Sequence, residues 1–172
     1  MEQKPVSHFM GGLIIATILI LYTLILNFSG LETNKVLTNL SYVLMIGGII
    51  FFINRFGKSV EHTASFGQLF TFGFKMSALI AIIVVFFQVI FFLIFPEYKD
   101  KIFDVAREEM IKQGKVSEDQ IEMALSMMKK FFWIGLIGGS LFMFMIVGAI
   151  ASLIGAAVTK KNPQSHFPPS LQ

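Results

Sequence analysis

The stretch Leu69–Phe95, LFTFGFKMSALIAIIVVFFQVIFFLIF, decides the fold. It carries one charge, Lys75, and one other strongly polar side chain, Gln88. About 20 apolar residues suffice for a helix to cross a hydrocarbon layer, so this run is long enough to span with tilt. Gly73, Ser77 and Ala81 recur at four-residue spacing along it, which makes one stripe small and predicts a contact with a neighbouring helix.

Three more apolar runs flank it: about Phe9–Phe28, Val36–Ile53 and Phe131–Val158. The first exceeds the 7–15 residues of a signal-peptide core and lacks a small-x-small cleavage site, so it reads as an uncleaved transmembrane helix. Gly12 and Ala16 sit four apart within it. The loop SGLETNK, Ser29–Lys35, is so short that the second helix must run antiparallel to the first. Gly47 and Gly48 lie in the middle of that second helix, as a close-packing point or mild kink. The last run has the densest small-residue pattern, with Gly135 and Gly139 as a GxxxG and Gly148, Ser152, Ala156, Ala151 and Gly155 continuing the spacing. Packing inside the monomer is the first reading of that face, and homodimerisation is the second.

Composition supports the membrane reading. The 172 residues are 55% hydrophobic and 15% charged, with twenty Phe and a mean hydropathy of +0.72, whereas a soluble domain carries roughly 25% charged residues. The net charge of +3 is dispersed along the chain. A nucleic-acid partner would need a basic face, so none is expected. Cysteine is absent, which excludes disulfides, thiolate ligands and a cysteine nucleophile.

The long polar excursion, Pro96–Lys130, holds seven of the fourteen Lys/Arg and eight of the eleven Asp/Glu. Pro96 ends the third helix. From Asp100 to Gln113 the apolar residues Ile102, Phe103, Ala106 and Met110 share a helical face, Glu108 precedes Lys112 by four, and Gly114 is the expected C-terminal cap. Ser117 and Gln120 form a capping-box pattern, with Glu118 and Asp119 in the first turn and Val116 placed to staple onto Ile121. Ile121, Ala124, Leu125, Met128 and Phe132 then run in register into the last apolar segment without a breaker. One helix from about Glu118 to Val158 is therefore predicted, bending at Gly138-Gly139. Phe103, Met110, Leu125 and Met128 are the expected partner- or lipid-facing residues of this region. Trp133 marks the membrane interface, and residues 159–172 read as a disordered tail.

Four spans put both termini on one side, with Lys4, Arg55, Lys58, Lys75, Lys160 and Lys161 against Glu2 and Glu61. A strict Lys/Arg count favours the other side, which holds Lys35 and the basic residues of the excursion. Lys4 ahead of the dominant first helix, and a first loop containing only Lys35, assign the termini to the cytoplasm.

Lys75 is the one charge within an apolar run; it is expected to snorkel, with a lipid headgroup or partner contact next. Gln88 is expected to hydrogen-bond between helices, with a substrate contact as the alternative. Thr17, Tyr22, Thr23 and Asn27 are expected to bond their own helix backbone in preference to lining a polar seam. His8, His62 and His166 are scattered, and no HExxH, GxSxG, phosphate loop or dinucleotide fingerprint occurs, so neither metal, cofactor nor catalysis is expected.

The approach SFGQLFTFGFK (Ser65–Lys75) and the core EEMIKQGKVSEDQIE (Glu108–Glu122) ahead of a Gly-rich last helix resemble the bacterial membrane family called domain of unknown function 4199 (DUF4199), common in Bacteroidetes. The resemblance covers nearly the whole chain and implies a bacterial inner-membrane protein. It brings no established activity and therefore no site residues.

The expected protein is all-α and integral to the membrane, one domain over residues 1–172, with four transmembrane helices and an amphipathic helical hairpin between the third and fourth. It acts without catalysis as an accessory, assembly or envelope-organising component. The alternative is a small transporter or channel, resting on Lys75, Gln88 and the hydroxyl-bearing first helix. Its expected partners are the lipid bilayer and a membrane-protein partner or second copy.

Overall fold

The computed structural model describes residues 7–114 and 117–161. The staple expected from Val116, the charges of Lys4 and Glu2, His166 and the tail from residue 162 lie outside the described residues. Among the described residues all regular structure is helical: α1 (His8–Phe28), α2 (Lys35–Ser59), α3 (Phe66–Ile94), α4 (Glu97–Gln113), α5 (Glu118–Lys130), a short α6 (Phe132–Ile134), a π-helical turn (Gly135–Gly139) and α7 (Ser140–Val158). Four stretches, α1, α2, α3 and Phe132–Val158, are long and apolar enough to cross a membrane, the pattern of a multi-pass membrane protein.

Local chemistry sets the helix ends. The Asn34 side chain accepts from the N–H groups of Val36 and Leu37 at 3.0 and 3.2 Å and starts α2. Ser65 and Gln68 form a reciprocal box at the start of α3: Ser65 Oγ accepts from Gln68 N–H, and Gln68 Oε1 accepts from Ser65 N–H at 2.8 Å. The same device opens α5, where Gln120 Oε1 accepts from Ser117 N–H at 3.0 Å. After α1, Gly30 at φ 68° turns the chain so that Leu31 N–H reaches Leu26 O and Gly30 N–H reaches Asn27 O, a Schellman motif. Gly114 at φ 61° ends α4 as a left-handed cap. Glu61 at φ 52° ends α2 through the same bond pattern, with His62 N–H to Gly57 O and Glu61 N–H to Lys58 O.

These ends correct the boundaries read from hydropathy. The Ser65–Gln68 box starts α3 at Phe66, three residues before Leu69, and α2 continues to Ser59 through polar residues beyond Ile53. The single helix expected from Glu118 to Val158 is interrupted. Phe131, at φ −102° and ψ 12°, closes α5, and five residues with a wider turn precede α7.

The chain divides into two compact units, one built from residues up to Ile83 with Met143 onward, the other from Val84 to Phe142. In the first unit the core is the inner stripe of four helices: Ile15, Ala16 and Leu19 of α1, Met45, Ile49 and Ile53 of α2, Met76 and Ile80 of α3, and Ala151 and Ala156 of α7. In the second unit α4 and α5 pack through Phe103, Ile121 and Leu125, joined by Ala106, Met110 and Phe132. Arg107 bridges them at the surface, 2.8 Å from Glu122.

Candidate functional site

Close approach in the first unit is built on small residues. A Cβ added to Gly73 would meet Ile53 Cδ1 at 2.5 Å and Ser152 Oγ at 2.6 Å, and one added to Gly148 would collide with the Ser77 side chain. The two helices therefore trade residues: each glycine of one receives the serine of the other. Both serines are fully buried, and each hydroxyl is satisfied within its own helix, Ser77 donating to Gly73 O at 2.9 Å and Ser152 to Gly148 O at 2.6 Å. Gly155 admits Ile53, Gly12 admits Leu79 and the Met76 carbonyl, and Gly48 admits Ile15. Ala16 and Ala81 are buried in the same packing.

Gly47, Gly135 and Gly139 are placed differently. A Cβ on any of them meets nothing within 4 Å. They are exposed, and no described residue packs against the position a side chain would take. Gly47 instead lines an apolar groove between α1 and α2, with Ile14, Ile18, Leu44 and Phe51. Gly135 and Gly139 lie in the π-helical turn, beside exposed Ile134 and Ile137.

One further cavity in the first unit combines polar and aromatic walls. It is an open groove of about 690 Å³, contributed by the start of α1 (Ser7, His8), the end of α2 (Phe56), the α2–α3 loop and the first three turns of α3 up to Lys75. Phe56 stacks on Phe72 with ring centroids 4.3 Å apart, and the His8 ring meets Phe72 edge-on at 6.1 Å. No carboxylate is among the described lining residues. Thr63 and Ser65 already have backbone partners. Thr71 and Lys75, one turn apart on α3, make no hydrogen bond or ion pair with another described residue. Among the described residues the groove thus presents an ammonium without a paired carboxylate, beside a hydroxyl and an imidazole, above an aromatic floor. That set can hold an anion. The loop behind it is fastened by His62, whose Nδ1 lies 2.7 Å from the Lys160 carbonyl oxygen and must donate to it.

The matching residues of the second unit serve its own packing. Phe103 and Leu125 are buried and Met110 packs against them, so these three do not form a free partner or lipid face. Of the expected set only Met128 is exposed, alongside Ile102 and Ile111 of α4 and Met123 and Met127 of α5. Gln88 does not make the interhelical bond expected of its side-chain oxygen, since Oε1 is buried without a hydrogen-bond partner among the described residues. In α1, Thr17 and Asn27 donate to backbone carbonyls one turn back, but Tyr22 reaches across to Leu37 O of α2 at 2.8 Å. Aromatic rings gather at the end of α3 and the start of the last span, with Phe92, Phe103 and Trp133 all around Phe132. Lys99 and Lys129 lie over Phe132 and Phe103 at 5.8 and 5.6 Å. This is the lysine-and-aromatic composition of a membrane interface. Among the described residues no three His, Asp or Glu side chains come together as metal ligands would.

The sequence model of a family described as "Protein of unknown function (DUF4199)" matches residues 10–161. The chain belongs to the DUF4199 family. That match takes in α1 from Met10 onward, the other three membrane-length helices whole, the paired glycines and serines of α3 and α7, and every lining residue of the polar groove except Ser7 and His8. No match to this DUF4199 chain was found among curated proteins or among solved structures.

Proposed function

We propose that this DUF4199 protein is a non-catalytic accessory or assembly component of a bacterial inner membrane, with both termini cytoplasmic and α4 and α5 forming an amphipathic hairpin outside the bilayer. One observation carries the reading. At Gly135, Gly138 and Gly139 the last span bares a small-residue face with nothing within 4 Å of any added Cβ, whereas Gly73, Gly148 and Gly155 meet neighbouring side chains. Small residues let a helix from another chain come near, and lipid gains nothing comparable from them. The occupant is a transmembrane helix of a partner or of a second copy.

The test is purification of the full chain from native membranes in mild detergent, comparing wild type with Gly135→Leu/Gly139→Leu. A stoichiometric partner or a dimer in wild type, lost in the variant, supports the proposal. A monomer with no stoichiometric companion in both sinks it. A transporter or channel is the second reading, favoured by the buried Gln88 Oε1, which has no hydrogen-bond partner among the described residues. Under that reading Gln88→Leu abolishes solute flux into reconstituted vesicles; if Gln88 is structural, the same change leaves the vesicles as they were.

A further inference from the structure

The groove at the start of α3 has a depth in the membrane that three helices set independently. From Met76 to Phe95 runs an uncharged stretch of twenty residues, about 30 Å of helix and so the thickness of the hydrocarbon core. Lys75 therefore stands at the hydrocarbon boundary, with the last turn of α3 before it among headgroups. α1 has 21 residues, roughly 31 Å, and begins at His8, whose ring touches Phe72. α2 runs a similar distance from its first turn to Phe56, which stacks on the same Phe72. His8, Phe56, Phe72 and Lys75 share one level, the level of lipid phosphates.

At that level the groove offers what a phosphate-bearing headgroup needs. Lys75 supplies a cation with no acid beside it among the described lining residues, Thr71 a hydroxyl one turn before it, and Gln68 an exposed amide at the mouth. Phe56 and Phe72 form an aromatic floor beside the headgroup. Basic pockets between transmembrane helices recognise anionic lipid headgroups by this combination of charge and apolar wall. Snorkelling alone needs none of the surrounding walls; a single lysine reaching the interface requires only its stem. We infer that this groove is a binding site for the phosphate headgroup of an anionic phospholipid, held by Lys75 and Thr71 over the Phe56–Phe72 pair. The site does not rest on the partner-binding function proposed above, nor on which leaflet it faces.

The experiment places full-length wild type and Lys75→Gln in bilayers of equal phosphatidylglycerol and phosphatidylethanolamine, re-extracts them in mild detergent, and counts retained lipids by native mass spectrometry. Wild type is expected to retain phosphatidylglycerol preferentially, and Lys75→Gln to lose about tenfold in that preference, the size of one charge-assisted hydrogen bond. Lys75→Arg, which keeps the cation, retains the preference and guards against a folding artefact; Lys129→Gln/Lys130→Gln leaves it unchanged. Equal retention by Lys75→Gln, or no headgroup preference in wild type, overturns the inference. Complete displacement of the lipid by millimolar inorganic phosphate assigns the groove to a free anion and overturns the lipid assignment.

Discussion

Replacing Gly148 by alanine tests the paired glycine–serine crossing of α3 and α7 most directly. The added methyl would overlap the Ser77 side chain, including its Cβ, which is fixed to the α3 backbone and cannot rotate away. Ser77 is fully buried and its hydroxyl is bonded to Gly73 O, so relief requires the helices to separate. Overpacking of this kind costs about 1–3 kcal/mol, and the fixed Cβ points to the upper half of that range. Alanine's higher helix propensity returns up to about 1 kcal/mol. The expected net loss is about 1–2 kcal/mol, read as a lower midpoint in reversible unfolding followed by circular dichroism in mixed micelles. Removing the obstacle should restore most of it: Ser77→Gly combined with Gly148→Ala should be more stable than Gly148→Ala alone, a coupling that independent sites would not show. Gly47→Ala, where a Cβ likewise meets nothing, is the control and should be neutral or stabilising. A Gly148→Ala protein as stable as wild type, or strict additivity in the double variant, would refute the crossing.

Two local predictions follow from the helix ends. Glu61 occupies the left-handed position of a Schellman motif at φ 52°, where a side chain costs roughly 1–2 kcal/mol; Glu61→Gly should therefore raise stability by about 1 kcal/mol in the same unfolding assay, and a loss would show that the Glu61 side chain has a role of its own. Ser117→Ala removes one arm of the α5 capping box and should cost about 0.5–2 kcal/mol, appearing as faster amide exchange confined to the first turns of α5; unchanged protection at Gln120 and Ile121 would contradict the box.

Helix ends were legible wherever their chemistry is local. Ser117 with Gln120, and Gly114, announce themselves because a cap is made within four residues of chain. Ser65 and Gln68 carry the same S-x-x-Q signature, and hydropathy alone conceals it because the apolar run peaks later; reading the box would have started α3 at Phe66. Glu61 gives no such notice, since nothing in a glutamate signals a positive φ, and the conformation comes from the bonds His62 and Glu61 N–H make to the end of α2. The interruption at Phe131 falls where Lys129-Lys130 give way to the last apolar run, with no glycine or proline at the break. Turning the chain there sets Phe132 between Phe92 and Phe103, an arrangement of aromatic rings from three helices that periodicity along one helix does not contain.

Composition and run length by themselves determined that the chain has four membrane-length helices and a charged excursion, because burial in lipid is dictated by residue type over about 20 positions. They also marked which residues are small on one face of each helix. Which face meets which was decided only by the tertiary structure: a four-residue spacing defines a stripe but not its partner, so Gly73 with Ser152 and Ser77 with Gly148 became pairs only when α3 and α7 were brought together, while Gly135 and Gly139, alike in sequence, were left open. The polar groove has the same origin. His8, Phe56, Thr71 and Lys75 are single residues far apart along the chain, and they line one groove only because three helices bring them together.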